Sequence, residues 1–299
     1  MDIKNLYFFF EKDLNNITYS IDMLRLKTYI SYLQYSELEF YLNAYYKDNI
    51  KRFWMSNRPM CFHYNYNIEI SEGVSFYFSF MHNSETIRFD KTNKLYNFTI
   101  EFNPNKLKDN PLVIYILSHY YNWYLRSFDL AMDINIGIND IFFDIGNRRK
   151  LNTISYSKDD ITYVIGSGSG RVKIYNKKKE SNLSITGHLT RIEISCDYDD
   201  FPISDIIFFN FNECYFPHVY LNQYLQSLDD ICSKDSTLSA ILFAVQHGYP
   251  MKNLSRRYKE KIHNLLEGSS YIKFDKNIVN NIFKGCILKY FKNTKQLIK

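Results

Sequence analysis

The chain has 299 residues, of which 45% are hydrophobic and 23% charged, a composition that excludes an intrinsically disordered protein. Its five cysteines are widely spaced and include no Cys-x-x-Cys pair, which argues against a zinc site and indicates a reducing compartment. No apolar run approaches the roughly 18 residues of a membrane span, and no signal peptide precedes the first charges. We therefore expect a cytoplasmic protein without a membrane partner.

The net charge of +5 is unevenly distributed along the chain. From residue 251 to residue 299 there are twelve lysines and arginines against three acidic residues, whereas the preceding part carries a slight negative charge. A basic end on a slightly acidic body is typical of a protein that binds a polyanion, most plausibly nucleic acid. A solvated lysine-rich surface without a partner is the alternative.

The first third of the chain changes from helical to strand spacing. A Ser-x-x-Glu-like first turn at Ser36 predicts a helix that ends near Trp54. From residue 60 to residue 102 the pattern has a period of two, with Phe76 and Phe78 alternating with Tyr77 and Ser79. This alternation predicts strands of an antiparallel sheet. Helical spacing returns over residues 110–123.

Six short strand candidates follow, separated by glycine-containing turns that include the loop of residues 166–170. They cover residues 128–134, 140–145, 152–156, 161–165, 172–176 and 189–197. Helices and an antiparallel sheet occur in blocks, without strict alternation of strand and helix. We therefore predict an α+β fold, an antiparallel sheet with flanking helices and a small C-terminal helical region.

The composition changes near Cys232, where we place a boundary between a domain of residues 1–231 and a basic helical region of residues 232–299. Helices are predicted over residues 235–246, from Leu254 to Gly268, and over residues 277–291. The second bears Arg256, Arg257 and Lys259 after a short turn, as in a helix-turn-helix whose second helix enters the major groove. A helical hairpin with a charged outer face is the alternative.

Three of the predicted strands place polar side chains on one face. These are Asp129 and Asp133 in the first strand, Tyr175 among the cations Arg171, Lys173 and Lys177 in the second, and Arg191, Glu193 and Ser195 in the third. Oxygen ligands in adjacent strands suit Mg²⁺ or Mn²⁺. Such a metal would polarise a phosphate while the tyrosine attacks phosphorus, and the cations would favour the phenolate. A merely solvated strand face is the alternative.

The order of these motifs resembles that of the Rep_trans family, the plasmid rolling-circle replication initiators and the related relaxases of integrative elements. The resemblance covers residues 21–197 and depends on segments at Ser20-Ile21-Asp22, Asp129-Leu130-Ala131-Met132-Asp133, Tyr163-Val164-Ile165-Gly166-Ser167, Lys173-Ile174-Tyr175-Asn176-Lys177 and Arg191-Ile192-Glu193. Two positions depart from the family pattern. Ser127 replaces an arginine, and Asn176 replaces the acidic residue after the tyrosine.

The resemblance implies a Rep-type nickase core in which Tyr175 is the nucleophile. Asp129, Asp133 and Glu193 would be the carboxylates that bind Mg²⁺ or Mn²⁺ or activate the tyrosine, and Tyr163 is a competing tyrosine. We expect DNA contacts from the cations near the tyrosine and on the second C-terminal helix, namely Arg171, Lys173, Lys177, Arg191, Arg256, Arg257 and Lys259.

The resemblance also implies the function of a plasmid replication initiator. It would bind the double-strand origin and nick one strand, leaving a 5′-phosphotyrosine and a free 3′-OH. It would form a homodimer, act with a host helicase and DNA polymerase, and handle the single-stranded product. A relaxase would use the same chemistry. The alternatives are a non-cleaving origin-binding or regulatory protein, favoured by Ser127 and Asn176, and a structural α+β protein.

Overall fold

The structure is a computed structural model. It describes residues 10–12, 17–45, 52–55, 62–82, 88–90, 93–144, 151–157, 160–180, 188–221, 235–246, 253–267 and 271–292. The first part of the chain forms β1 (Phe10–Lys12), β2 (Thr18–Ile30), α1 (Tyr32–Tyr45), β3 (Arg52–Met55), β4 (Phe62–Ser71), β5 (Val74–His82), β6 (Arg88–Asp90), β7 (Asn93–Phe102) and α2 (Pro111–His119).

The second part is again rich in strands and ends in helices. It forms β8 (Tyr124–Ile134), β9 (Ile141–Asp144), β10 (Leu151–Ser157), β11 (Asp160–Ile165), β12 (Arg171–Asn176), the short helix α3 (Lys177–Glu180), β13 (Thr190–Pro202), β14 (His218–Leu221), α4 (Ser236–Gln246), α5 (Arg256–Glu267) and α6 (Lys276–Phe291). No helix in these ranges is long and apolar enough to cross a membrane.

Twelve of the strands form one antiparallel sheet. Ten of them follow each other in the order β10-β11-β12-β13-β8-β2-β7-β5-β4-β3, while β1 and β6 pair with β2 and β7 beside this path. β9 and β14 form a separate two-stranded sheet. Sheet and helices occur in blocks, so the predicted α+β class is confirmed.

The two faces of the large sheet differ in polarity because side chains alternate along each strand. Three helices pack on the apolar face. Tyr35 of α1 stacks on Phe80 with ring centroids 4.3 Å apart, and Phe283 of α6 stacks on Phe128 at 4.6 Å. The buried side chains of α2 belong to the same core, and Trp123 Nε1 donates to the Leu117 carbonyl at 3.1 Å. The opposite face carries the polar residues of β8, β12 and β13.

The last helix of the predicted C-terminal region belongs to the main core. Phe283 of α6 also contacts Phe209 at 4.2 Å, and the backbone N–H of Asp275 donates to the Tyr19 hydroxyl of β2 at 3.0 Å. By contrast, α4, α5 and β14 form a smaller apolar cluster of Tyr220, Leu238, Leu242 and Ile262. The boundary was predicted near Cys232, a residue outside the described ranges. The main core thus includes α6, although α6 follows this boundary in the sequence.

The predicted helix of residues 36–54 is wrong at both ends. The helix begins at Tyr32 because Ser31 and Gln34 form the capping box. The Gln34 N–H donates to the Ser31 hydroxyl at 3.2 Å, and the Ser31 N–H donates to the Gln34 side chain at 2.9 Å. It ends at Tyr45, and Trp54 lies in β3, which pairs with β4.

Candidate active site

The register of β8, β13 and β12 brings the predicted polar residues together in three rows. Tyr175 pairs with Arg191, which pairs with Asp133. Glu193 lies between Lys173 and Ala131 in the next row, and Ser195 lies between Arg171 and Asp129 in the third. Residues paired across strands share a face. The structure therefore places all of these side chains on the polar face of the sheet.

Tyr175 and Glu193 form the contact with the clearest chemical meaning. The tyrosine hydroxyl donates to Glu193 Oε2 at 3.2 Å, and Lys173 Nζ donates to Oε1 of the same carboxylate. Tyr175 and Glu193 are each 7% exposed, and Lys177 Nζ lies 5.9 Å from the tyrosine ring centroid. A carboxylate within hydrogen-bond distance of a phenol can accept its proton when the oxygen attacks an electrophile.

Arg191 binds two carboxylates from different strands. Its guanidinium donates to both oxygens of Asp133 at 2.7 Å, and its Nη1 lies 3.2 Å from Asp22 Oδ2. Burial alone would lower the pKa of Arg191, but the hydrogen bonds and charges of Asp133 and Asp22 raise it above its ordinary value. Arg191 is thus a fixed cation, and Asp133 is held by it.

Asp129 is the carboxylate with unused bonding capacity. It is buried, and its Oδ1 has no hydrogen-bond partner in the described part of the chain. Burial raises the pKa of Asp129 above its usual value, although the nearby Arg25 and Ser195 oppose this change. Arg171, whose Nη2 donates to Ser195 at 3.1 Å, also keeps its Nε without a partner among the described residues.

The three carboxylates predicted to bind a divalent cation differ in whether their oxygens are already paired. Asp129 offers an unpaired oxygen of the kind that Mg²⁺ and Mn²⁺ prefer. Asp133 and Glu193 lie on the same face but are bound to Arg191 and Lys173. Among the residues that the structure describes, no group of three or more histidines, cysteines, aspartates and glutamates is arranged to hold a metal ion. The metal site stays a prediction.

Arg25 is a site residue that the sequence did not reveal. From β2 it donates to Ser127 Oγ at 3.1 Å and to Glu101 at 2.9 Å, and its Nη2 lies 3.6 Å from Asp129 Oδ2. Arg25 thus places a guanidinium beside Ser127 and Asp129 from the neighbouring strand. Asp22, the other residue of β2 that reaches the site, belongs to the Ser20-Ile21-Asp22 segment. That segment is part of the sequence resemblance, so the contribution of Asp22 could have been predicted.

The competing tyrosine lies on the other face. Tyr163 pairs with Ile174 and packs on Phe143, with ring centroids 4.9 Å apart. Burial raises the pKa of its hydroxyl, which disfavours the phenolate. Asn176 ends β12 opposite Thr190, half-buried, directly before the lysines of α3.

The other predicted DNA contacts lie on α5. Arg256 and Arg257 are exposed and Lys259 is half-buried. Arg256 Nε donates to Glu260 at 2.7 Å, and Lys261 pairs with Asp235 before α4. Two consecutive helices with a basic second helix agree with the predicted order. Their assignment as a helix-turn-helix stays a prediction.

Comparison with known proteins gives a structural similarity only. No family model matches the chain, and no curated protein matches it in sequence. Among solved structures, the chain is similar to a rolling circle replication initiator protein from Geobacillus stearothermophilus. The alignment has 12% identity and a TM-score of 0.37, and it covers 62% of this chain and 76% of that one.

Proposed function

We propose that this protein is a replication initiator of the rolling-circle type that nicks one DNA strand through Tyr175. The observation that supports the proposal is the hydrogen bond from the buried Tyr175 hydroxyl to Glu193. It joins a nucleophile to a proton acceptor on a sheet face that also carries Arg171, Lys173 and Arg191. Cations at these positions suit a phosphodiester, whose charge grows as the new bond forms.

In the proposed reaction, the Tyr175 oxygen attacks the scissile phosphorus while Glu193 accepts the phenolic proton. A tyrosine O–P bond forms and the bond from phosphorus to the 3′ oxygen breaks. The released oxygen takes up a proton and becomes a free 3′-OH, while the 5′ end stays on the protein as a phosphotyrosine. Lys173 and Arg171 lie on β12, the strand that carries Tyr175, and their positive charges would attract the negatively charged phosphate.

Mg²⁺ or Mn²⁺, if used, would be held by Asp129, whose buried Oδ1 is unpaired, with Glu193 as a neighbouring carboxylate. A bound cation supplies Lewis-acid polarisation of the phosphate. It would also compensate the charge that burial disfavours on Asp129.

The proposed partners follow from this chemistry. They are the double-strand origin, contacted by Arg256, Arg257 and Lys259 of α5, and the single-stranded product at the sheet. Resemblance to the Rep_trans family adds homodimerisation, a host helicase and DNA polymerase, and a cytoplasmic location. A relaxase that starts conjugative transfer would perform the same strand cleavage.

Formation of a covalent adduct tests the proposal directly. The purified protein is incubated with supercoiled origin DNA and Mn²⁺, and 5′-linked protein is measured for the wild type, Tyr175→Phe and Tyr163→Phe. We expect adduct from the wild type and from Tyr163→Phe, and none from Tyr175→Phe. Adduct that persists in Tyr175→Phe would show that another residue is the nucleophile.

A non-cleaving DNA-binding protein is the second candidate. The ion pairs that occupy Asp133 and Glu193 favour it, because carboxylates held by arginine and lysine are less available to a metal or a proton. This candidate predicts tight origin binding without adduct from the wild type.

A further inference from the structure

Asp22 is a carboxylate at the candidate active site that the proposed reaction does not use. The pairing of β2 with β8 passes from Ile21 directly to Met23, so Asp22 is the extra residue of a bulge. Its Oδ2 lies 3.2 Å from Arg191 Nη1, and its Oδ1 accepts from the Asn103 side chain at 3.1 Å. The bulge thus aims Asp22 at Arg191, and Asn103 holds it there.

Arg191 is therefore held from two sides by carboxylates of two different strands. Asp133 on β8 accepts from Nε and from Nη2, both at 2.7 Å, while Asp22 on β2 lies beside Nη1. A guanidinium has five N–H donors in one plane, and the pair with Asp133 uses two of them. Turning this plane would break the bidentate pair. Arg191 thus keeps one orientation and still has donors on Nη1 and Nη2.

The same contacts make Asp133 a poor metal ligand. Each of its two oxygens accepts a hydrogen bond from Arg191, whereas Asp129 Oδ1 has no partner in the described part of the chain. A cation bound by Asp133 would leave Arg191, which is only 8% exposed, without its bidentate partner. Removing the partner of a buried charge is strongly destabilising. The contacts of Asp133 therefore favour a role in holding Arg191.

Arg191 lies next to the proposed nucleophile. It pairs with Tyr175 in the register of β12 and β13, and directly paired side chains have Cβ atoms about 4.5–5.5 Å apart on one face. Tyr175 is the last residue but one of β12, and Arg191 is the second residue of β13. This row therefore lies at the rim of the sheet, where the strands end. The side chain of Asp22, which is 29% exposed, marks the side of the row that solvent reaches.

We propose that Asp22 and Asp133 are positioning residues, which hold the guanidinium of Arg191 beside the phosphate that Tyr175 attacks. The inference rests on the proposed function, and it removes Asp133 from the predicted metal site. The donors left on Arg191 would stabilise the charge that grows on the phosphate oxygens as the tyrosine O–P bond forms. Because the two carboxylates fix the guanidinium before DNA binds, this stabilisation requires no reorientation during the reaction.

A double-mutant cycle tests whether Asp133 acts through Arg191. Single-turnover nicking rates at saturating origin DNA are compared for the wild type, Asp133→Asn, Arg191→Lys and the double variant. We expect Asp133→Asn to slow nicking about 100-fold in the wild type, because a misplaced catalytic group costs about that much. In the Arg191→Lys background, which lacks the planar fork, the same substitution should cost less than about threefold. Equal losses in the two backgrounds would overturn the proposal.

The same cycle with Asp22→Asn, at a partly exposed position, decides the question even if Asp133→Asn does not fold. Asp22→Asn should slow nicking about tenfold and leave the affinity for origin DNA within about twofold. Mn²⁺ binding, measured without DNA by electron paramagnetic resonance, should be the same in Asp22→Asn, Asp133→Asn and the wild type. Weaker Mn²⁺ binding by Asp133→Asn would make Asp133 a metal ligand and overturn its assignment to Arg191.

Asp109→Asn is the matched control, because Asp109 also pairs with a cation, Lys289 of α6, on the other face of the sheet. It should nick at the wild-type rate. An Asp22→Asn variant that nicks as fast as this control would refute the role of Asp22. If the wild type forms adduct but the cycles are additive, the inference alone fails. If the wild type forms no adduct, the inference and the proposed function fail together.

Discussion

The contact between Tyr175 and Glu193 depends on one proton. Tyr175 is neutral when it donates to Glu193, and it becomes a strong nucleophile only when that proton leaves. The same carboxylate also accepts a hydrogen bond from Lys173 Nζ. For the reaction that we propose, a proton acceptor thus already lies 3.2 Å from the Tyr175 hydroxyl in the protein without DNA.

Glu193→Gln should therefore slow nicking by roughly 10²- to 10⁴-fold, because the amide keeps the size of the side chain but cannot accept the proton as a base. DNA affinity should stay within about twofold, a change of about 0.4 kcal/mol. Single-turnover nicking rates and anisotropy titrations measure the two quantities. Glu37→Gln, at an exposed position of α1 on the opposite face of the sheet, is the control. A nicking rate equal to that of the wild type would exclude Glu193 as the base.

Asp129 connects the site to the pH dependence of stability. Since burial raises the pKa of Asp129, the folded state binds this proton more tightly than the unfolded state does. Its contribution to stability is present below the ordinary pKa of aspartate and is lost as the pH rises through the raised value.

Asp129→Asn should remove this loss of stability at higher pH, because asparagine does not titrate. The free energy of unfolding of the variant, relative to the wild type, should increase as the pH rises from about 4 to about 7. Urea denaturation at several pH values measures it, and the exposed Asp199→Asn is the control. A difference between variant and wild type that does not change with pH would contradict the raised pKa.

At the scale of elements, α5 carries its cations on a helix whose apolar side packs against α4 and β14. Ile262 is fully buried in that cluster, while Arg256 and Arg257 face solvent. This division leaves the cationic side of α5 exposed for the DNA contact that we propose.

Replacing Arg256, Arg257 and Lys259 together with glutamine should reduce the slope of log affinity against log salt. Each lost phosphate contact lowers the slope by roughly 0.9 on duplex DNA. Titrations of duplex origin DNA at several salt concentrations measure it. As a control with the same loss of charge, three lysines outside the C-terminal region, Lys94, Lys106 and Lys108, can be replaced with glutamine. An unchanged slope in the α5 variant would remove this helix from the DNA interface.

Among the elements, some were predictable from the sequence and others were not. β12, residues 128–134 of β8 and residues 190–197 of β13 alternate regularly, so their faces and the grouping of Tyr175, Asp129 and Glu193 could be predicted. β2 was missed as a whole strand because register shifts near Asp22 and Arg25 interrupt its alternation. The role of Arg25 depends on pairing with residues about a hundred positions away, which no local pattern reports.

At the scale of the whole molecule, α6 joins the C-terminal region to the core of the large sheet. Phe283→Ala should lower the free energy of unfolding by about 3–5 kcal/mol, because a buried ring packed on Phe128 and Phe209 leaves a cavity. Leu288→Ala, at a position of α6 that is 44% exposed, should cost much less. Chemical denaturation measures both. Equal, small losses would show that α6 does not hold the core together.

The place of α6 in the chain also bears on how the protein is made. Its side chains cover a core whose other elements come earlier in the chain, from β2 onward. The Tyr19 hydroxyl of β2 likewise accepts its hydrogen bond from the late residue Asp275. During synthesis at about 5–20 residues per second, the apolar face of the sheet stays open until residues 276–291 leave the ribosome. A long exposure of strands before closure favours aggregation. Slower translation should therefore lower the soluble yield of this chain, and added chaperone should raise it.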